Sequence, residues 1–188
     1  MVQAAVAETF ASLKAGLDVR GAGRMVAACG GPVSSGFPEL DRALAGGFIR
    51  GSIATLEGPA GSGRTAVLAA ALAHATRTGF AAAVHDGTLY PPDLQRAGVS
   101  LDRLLLVSAP SQLAAARCAD ILLRSRSFGT IALPAVQVRG TVWSRLGGLA
   151  QKNGALLLAL GFAGTELSYF ASTRVRCAID RVFWSNGA

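Results

Sequence analysis

The chain has 188 residues, of which 51% are apolar, and a formal net charge of +7. That composition excludes a disordered tract and suffices for one domain with its own core. No apolar run approaches the roughly 20 residues that cross a bilayer, and a start that carries Glu8 lacks the pattern of a secretory signal, so a cytoplasmic protein with no membrane partner is expected.

Val6, Phe10, Leu13 and Leu17 recur at helical spacing and predict a short helix over 3–17. Asp18–Gly23 breaks it, Met25–Cys29 reads as a short strand, and Gly30-Gly31-Pro32 as a turn or linker. Residues 1–33 are thus expected to form an arm, packed on its own core or docked on a neighbour, and residues 34–188 the main domain. Phe37–Leu44 reads as a helix, with Pro38 and the acidic Glu39 and Asp41 in its first turn and Gly46-Gly47 ending it. Ser52–Glu57 is a buried strand, Gly58–Thr65 a glycine-rich loop and Ala66–Ala73 a helix. Phe80–His85 reads as the next strand, with Asp86-Gly87 at its end; Tyr90 starts a short helix that stops near Gly98. Leu104–Val107 is a strand, 111–125 a helix, Thr130–Leu133 a strand, 140–152 a helix with Trp143 inward, and Ala155–Leu160 a strand. Residues 168–184 alternate like a hairpin, with Tyr169, Val175, Cys177, Ile179 and Phe183 as candidates for its buried face. Strands that are apolar throughout and alternate with helices predict an α/β fold, a mainly parallel sheet flanked by helices. The closing segment predicts antiparallel strands added at the C-terminal edge.

The loop Gly58-Pro59-Ala60-Gly61-Ser62-Gly63-Arg64-Thr65 carries the chemistry. A glycine-rich turn between a strand and a helix lets backbone N–H groups converge on an anion, and the helix N-terminus adds partial positive charge. Thr65 is placed to offer a hydroxyl to a magnesium ion. Where the motif wants lysine the chain has Arg64, which keeps the charge but is planar and longer. ATP and Mg2+ are therefore candidate cofactors, with the eight loop residues as the nucleotide site; a relict turn kept for its fold is the alternative. Asp86 is an accessory candidate, or a cap for the turn at Gly87. Tyr90 is an adenine-stacking candidate, or a packing residue. His85 reads as a satisfied strand residue, and Trp143 and Trp184 as core or interface. Cys29, Cys118 and Cys177 have no metal-ligand spacing and read as buried thiols in a reducing compartment. Arginine supplies nearly all the positive charge, since Lys14 and Lys152 are the only lysines. That balance fits an acidic partner such as nucleic acid, or simply a solvated surface, because Arg124 with Arg126 and Arg174 with Arg176 are its densest runs.

Three stretches in order resemble the ATPase core of the RecA family: Ser34–Leu44, the loop Gly58–Thr65, and Tyr169–Arg176. A closer likeness is to the ImuA family, RecA-like accessory proteins of the damage-induced bacterial system for translesion DNA synthesis. Gly36–Leu44, Gly46–Gly51, Leu89–Val99 and Leu104–Val107 carry it. The resemblance implies a RecA-like core, nucleotide binding and a role in DNA repair within the SOS response. It also implies a polymerase-like partner (ImuB-like), DNA as a further ligand, and self-association through the N-terminal arm and the exposed sheet edge.

Against the family's pattern, the chain has lost groups that hydrolysis needs, namely a carboxylate for magnesium or its water and a group to orient the attacking water. Pro134 follows the strand where the family has an acid, and Ala135–Val138 supply none. The place of the family's catalytic glutamate falls near Thr88. The phosphate-sensing polar residue is replaced in Leu160-Gly161-Phe162. The two DNA-binding loops shrink to Ala135–Gly140 and Gly161–Glu166, so a strand-exchange recombinase is not expected. The expected function is a RecA-like accessory protein of translesion synthesis with a degenerate phosphate loop. The alternative is a weak DNA-stimulated ATPase that enhances polymerase activity through Arg64, Thr65 and Asp86, and a third reading is direct DNA binding through dispersed arginines.

Overall fold

A computed structural model describes residues 31–134, 136–161 and 165–179, and the backbone of 18–20. The expected helix over 3–17, the strand Met25–Cys29, Phe183 and Trp184 lie outside the described residues. In chain order the elements are β1 (Asp18–Arg20), α1 (Pro38–Ala43), β2 (Ile53–Glu57), α2 (Arg64–Thr78), β3 (Ala81–His85), α3 (Pro91–Arg96) and β4 (Leu104–Ser108). There follow α4 (Gln112–Ser125), β5 (Thr130–Leu133), α5 (Gly140–Asn153), β6 (Leu156–Gly161), α6 (Leu167–Phe170) and β7 (Thr173–Arg176).

These strands form one sheet in the order β1-β7-β2-β6-β5-β3-β4. Strands β2 to β7 run parallel to one another, as crossover helices between them require. β2 and β6, at the centre, are buried along their whole length. Because side chains alternate across a strand, β6 feeds two cores. Leu156, Leu158 and Leu160 join Leu56, Leu68, Leu72 and Phe48 on the α2 side. Leu157 and Ala159 join Ile131, Leu133, Trp143 and Leu146 on the side of α4 and α5. This is the two-faced α/β architecture expected for a RecA-like core.

Antiparallel pairing does occur at the far edge, where β1 runs against β7 with Val19 opposite Val175. The partner strand comes from the N-terminal side of the chain, however, and not from a hairpin over 168–184. Residues Leu167–Phe170 form a helical turn, and Thr173–Arg176 pair in parallel with β2. Strand alternation therefore does not reach Tyr169, which is exposed, and Ile179 is also exposed, whereas Val175 and Cys177 are buried as expected. Trp143 is a core residue, at 1% exposure.

The Ser34–Leu44 segment turns out to be a clasp. Asp41 accepts hydrogen bonds from the Ser34 hydroxyl at 2.5 Å and from the Ser35 backbone N–H at 2.7 Å. Leu40 is buried beneath α1. Gly36 has φ +83°, and a Cβ there would stand 2.7 Å from the Ala70 carbonyl oxygen, so only glycine lets the clasp lie against α2. The clasp holds α2, and with it the loop that α2 follows.

Candidate functional site

In a parallel sheet every strand ends at the same edge, and ligands of such folds bind there. The loop after β2, the turn after β3 and the exits of β5 and β6 all open at that edge. The loop curls because three of its glycines take positive φ: Gly58 at +154°, Gly61 at +79° and Gly63 at +85°, the last serving as N-cap of α2. No acidic residue occupies the first turn of α2, so the partial positive charge at its N-terminus stays uncompensated. Gly58 is a fitted position, since a Cβ there would meet the Cys177 carbonyl oxygen and come within 2.5 Å of the Ser62 hydroxyl. Ser62 is 1% exposed, and its hydroxyl has no hydrogen-bond partner among the described residues. A buried hydroxyl left unpaired costs about 1–3 kcal/mol, which a bound anion would recover.

Arg64 does not extend outward. Its guanidinium folds back over the loop and donates to the Gly58 carbonyl oxygen at 2.8 Å and to the Gly161 carbonyl oxygen, at the end of β6, at 3.2 Å. Both bonds leave one guanidinium nitrogen, Nη1, and reach carbonyls 6 and 97 residues away in sequence. Arg64 thus ties the cradle to the neighbouring strand. It also lies near Cys177: burial pushes that thiol up to about 11, and the Arg64 charge offsets the rise in part. Thr65 is exposed in the first turn of α2.

The acid that adjoins the loop lies outside the motif. Glu57, the last residue of β2, is 3% exposed. Its carboxylate accepts from the Ser168 hydroxyl at 3.0 Å and the Thr55 hydroxyl at 3.2 Å. Sequence reasoning missed it although the signal was available, because a glutamate closing an otherwise apolar strand must find partners. Asp86, by contrast, leaves β3, which β5 and β6 separate from β2. Three strand spacings of about 4.8 Å put it roughly 14 Å along the sheet from the loop strand. Its carboxylate accepts from the Thr88 hydroxyl at 2.8 Å and the Thr88 N–H at 3.3 Å, the geometry of a capped turn. The Thr88 hydroxyl is the main reason its carboxyl titrates below the ordinary value. Its alternative reading as a turn cap is the one with this geometry. His85 is likewise satisfied, its Nδ1 accepting from the Gly87 N–H at 3.1 Å. Tyr90 is 62% exposed and belongs to neither core, so the packing alternative for it is corrected. The reason is that Pro91 and Pro92 open α3 immediately after it and leave Leu94 as that helix's buried anchor.

At the exits of β5 and β6 the carboxylate in the lining is Glu166, whose Oε2 stands 3.4 Å from where a Cβ on Gly140 would lie. An open groove of about 870 Å³ lies there, lined by Gln112, Gln137, Arg139, Trp143 and Glu166 among others. Gln112 closes part of it by accepting the Gln137 N–H at 2.9 Å. No cluster of three or more His, Cys, Asp or Glu side chains suited to a metal exists among the described residues. Likewise, no described helix is long and apolar enough to cross a membrane.

Residues 23–141 match the family model of the RecA N-terminal domain. The chain belongs to the RecA family. It is similar to Protein RecA of Picosynechococcus sp., 35% identical over 106 residues, and to Protein RecA of Corynebacterium aurimucosum, 38% identical over 107. Each alignment covers 55% of this chain, but 30% and 28% of the relatives, so the shared part spans less than a third of their length. The family implies ATP and Mg2+. The loop fits the phosphates, through its three left-handed glycines, its open helix terminus and the unpaired Ser62 hydroxyl. The metal is less well provided for, because no acidic cluster suited to it exists among the described residues and Glu57, which adjoins the loop, is bound to Ser168 and Thr55.

Proposed function

We propose that this member of the RecA family is an accessory protein of DNA damage tolerance. In this reading it binds a polymerase-like partner of the translesion system (ImuB-like) and DNA, and it serves as a scaffold more than as a motor. The ImuA-like segments Gly36–Leu44 and Leu89–Val99 motivate the assignment. The observation that carries it is the contrast at one sheet edge, where the phosphate cradle is built and closed by Arg64 while Pro134 and Thr88 stand where hydrolysis needs acids. In this reading the exposed edge strand β4, with Leu105 44% open, meets a partner or a second copy, a role that the resemblance also implies for the N-terminal arm. A pull-down with the partner polymerase tests this; no binding at micromolar concentration sinks it.

A second reading is favoured by the unpaired Ser62 hydroxyl. The chain binds ATP, with backbone N–H groups of the loop and Arg64 on the phosphates and Thr65 on Mg2+, and hydrolyses it weakly when DNA is present. Bound Mg2+ would supply charge neutralisation at the outer phosphates. Titration with ATP by calorimetry, repeated on Arg64→Ala, distinguishes a relict turn from a working cradle. Phosphate release with and without single-stranded DNA then separates binding from hydrolysis, and release that survives Arg64→Ala with Thr65→Ala is not this site's.

A further inference from the structure

The opposite edge of the sheet, where the parallel strands begin, collects positive charge that the loop chemistry does not use. Arg103 precedes β4, Arg77 lies in the last turn of α2 before β3, Arg124 and Arg126 end α4 before β5, Lys152 ends α5 before β6, and Arg50 precedes β2. Short contacts join these positions into one surface. Arg103 donates to the Arg77 carbonyl oxygen at 3.2 Å. The Gly129 N–H donates to the Phe80 carbonyl oxygen at 3.1 Å, and the Gly129 carbonyl accepts from the Leu156 N–H at 2.9 Å. A Cβ on Gly129 would stand 3.7 Å from the Arg50 guanidinium, and one on Gly51 would stand 3.4 Å from Gln151 Cα. From β4 across β3, β5 and β6 to β2 is four strand spacings, roughly 19 Å. Among the described residues the acid at this edge is Asp102; Asp120, farther up α4, pairs with Arg124 at 2.9 Å and Arg145 at 2.8 Å.

Helix dipoles explain part of this patch, since Arg77, Arg124 and Lys152 sit where three helices end in unpaired carbonyls. Arg103 adds to the same end of α2 through the Arg77 carbonyl, and Arg50 donates to the Gly31 carbonyl oxygen at 3.4 Å, but neither contact accounts for Phe80. Phe80 is 57% exposed. It stands between Arg103 and Arg126 in strand order, an aromatic ring presented to solvent inside a field of guanidinium groups. Cations that track phosphates and an aromatic face on which bases stack are the two parts of a single-strand nucleic-acid surface.

We propose that this edge, formed by Arg50, Arg77, Phe80, Arg103, Arg126 and Lys152, binds single-stranded nucleic acid. The proposal draws its biological setting from the DNA-linked role above, but its surface is separate from the phosphate loop and from the β4 edge. The experiment measures fluorescence anisotropy of a labelled oligothymidylate with the full chain, from 50 to 200 mM salt. Arg77→Ser, Arg103→Ser and Arg126→Gly are combined; all three side chains are exposed, and glycine suits the φ of +56° at position 126. The expected result is weaker binding and a log–log salt slope shallower by about 2, since each phosphate left unneutralised removes about 0.7. Phe80→Ala is expected to weaken oligothymidylate binding about 5- to 100-fold and to leave binding of an abasic strand of equal length unchanged. Arg139→Ser, in the groove at the other edge, is expected to bind as the parent does. Should the triple variant fail to fold, Arg103→Ser alone is expected to lower the slope by about 0.7. The proposal is overturned if the parent does not bind at 50 mM salt, or if the arginine variants keep its affinity and slope. It is also overturned if Phe80→Ala affects the abasic strand equally. Loss of partner capture in the pull-down, with oligonucleotide binding intact, would instead refute the accessory role and leave this surface standing.

Discussion

The loop after β2 and the turns after β3, β5 and β6 leave the same edge of the same sheet, yet they have been held to different standards. The loop is packed from below: Gly58 abuts the Cys177 carbonyl, the Ser62 hydroxyl is sealed in, and Arg64 spans to Gly161. The other exits are self-contained. Asp86 and Thr88 satisfy each other, and Gln112 answers Gln137. The loop is part of the fold's own packing, whereas Asp86 is satisfied within its own exposed turn.

The sharpest way to break that comparison is Gly58→Ala. A methyl group there has backbone on one side and a buried hydroxyl on the other, so the variant is expected to lose more than about 3 kcal/mol in urea unfolding. Gly61→Ala, with nothing within 4 Å of the added carbon, is expected to cost only the roughly 1–2 kcal/mol of a left-handed alanine. Equal losses would show that the loop is not packed into the core.

Cys177 reports on the same packing through pH. Its thiol is neutral in the fold up to about 11, against 9.0 for the ordinary thiol. Unfolding therefore becomes easier once the unfolded thiol can ionise. The stabilisation is complete below pH 9 and falls as pH rises from 9 towards 11, by on the order of 2–3 kcal/mol. Chemical denaturation across that range checks it, and Cys177→Ala is expected to flatten the slope.

Arg64→Ala removes two charged hydrogen bonds from a half-buried position and is expected to lower stability by about 1–2 kcal/mol. Arg64→Lys keeps the charge on a shorter stem, so it should lose part of that stability, while any phosphate binding persists in calorimetry. The smallest effect is expected at Asp86. Its carboxyl is held below the ordinary value, so its contribution is present above that value and fades as pH falls through the folded one. The turn is exposed, and Asp86→Asn should stay within about 0.5 kcal/mol and leave ATP titration unchanged. A larger effect on nucleotide binding would restore Asp86 to the site.

The order of strands and helices and the place of the loop were legible in the sequence. They rest on local signals: apolar runs, glycine at turns, and residue types at known offsets from a strand. Thr130–Leu133 and Ala155–Leu160 could be read almost to the residue for that reason. Tertiary structure decided what local signals do not encode. Period-2 alternation in 168–184 suited a hairpin, but the pairing that places Thr173–Arg176 beside β2 comes from more than a hundred residues away. The partners of Glu57, the return of Arg64 to Gly161 and the gathering of arginines at the strand-start edge are likewise products of sheet order. Sequence showed a glycine-rich loop and dispersed arginines, and only the parallel sheet, by sending every strand in one direction, set the loop at one edge and Arg50, Arg77, Arg103, Arg126 and Lys152 at the other.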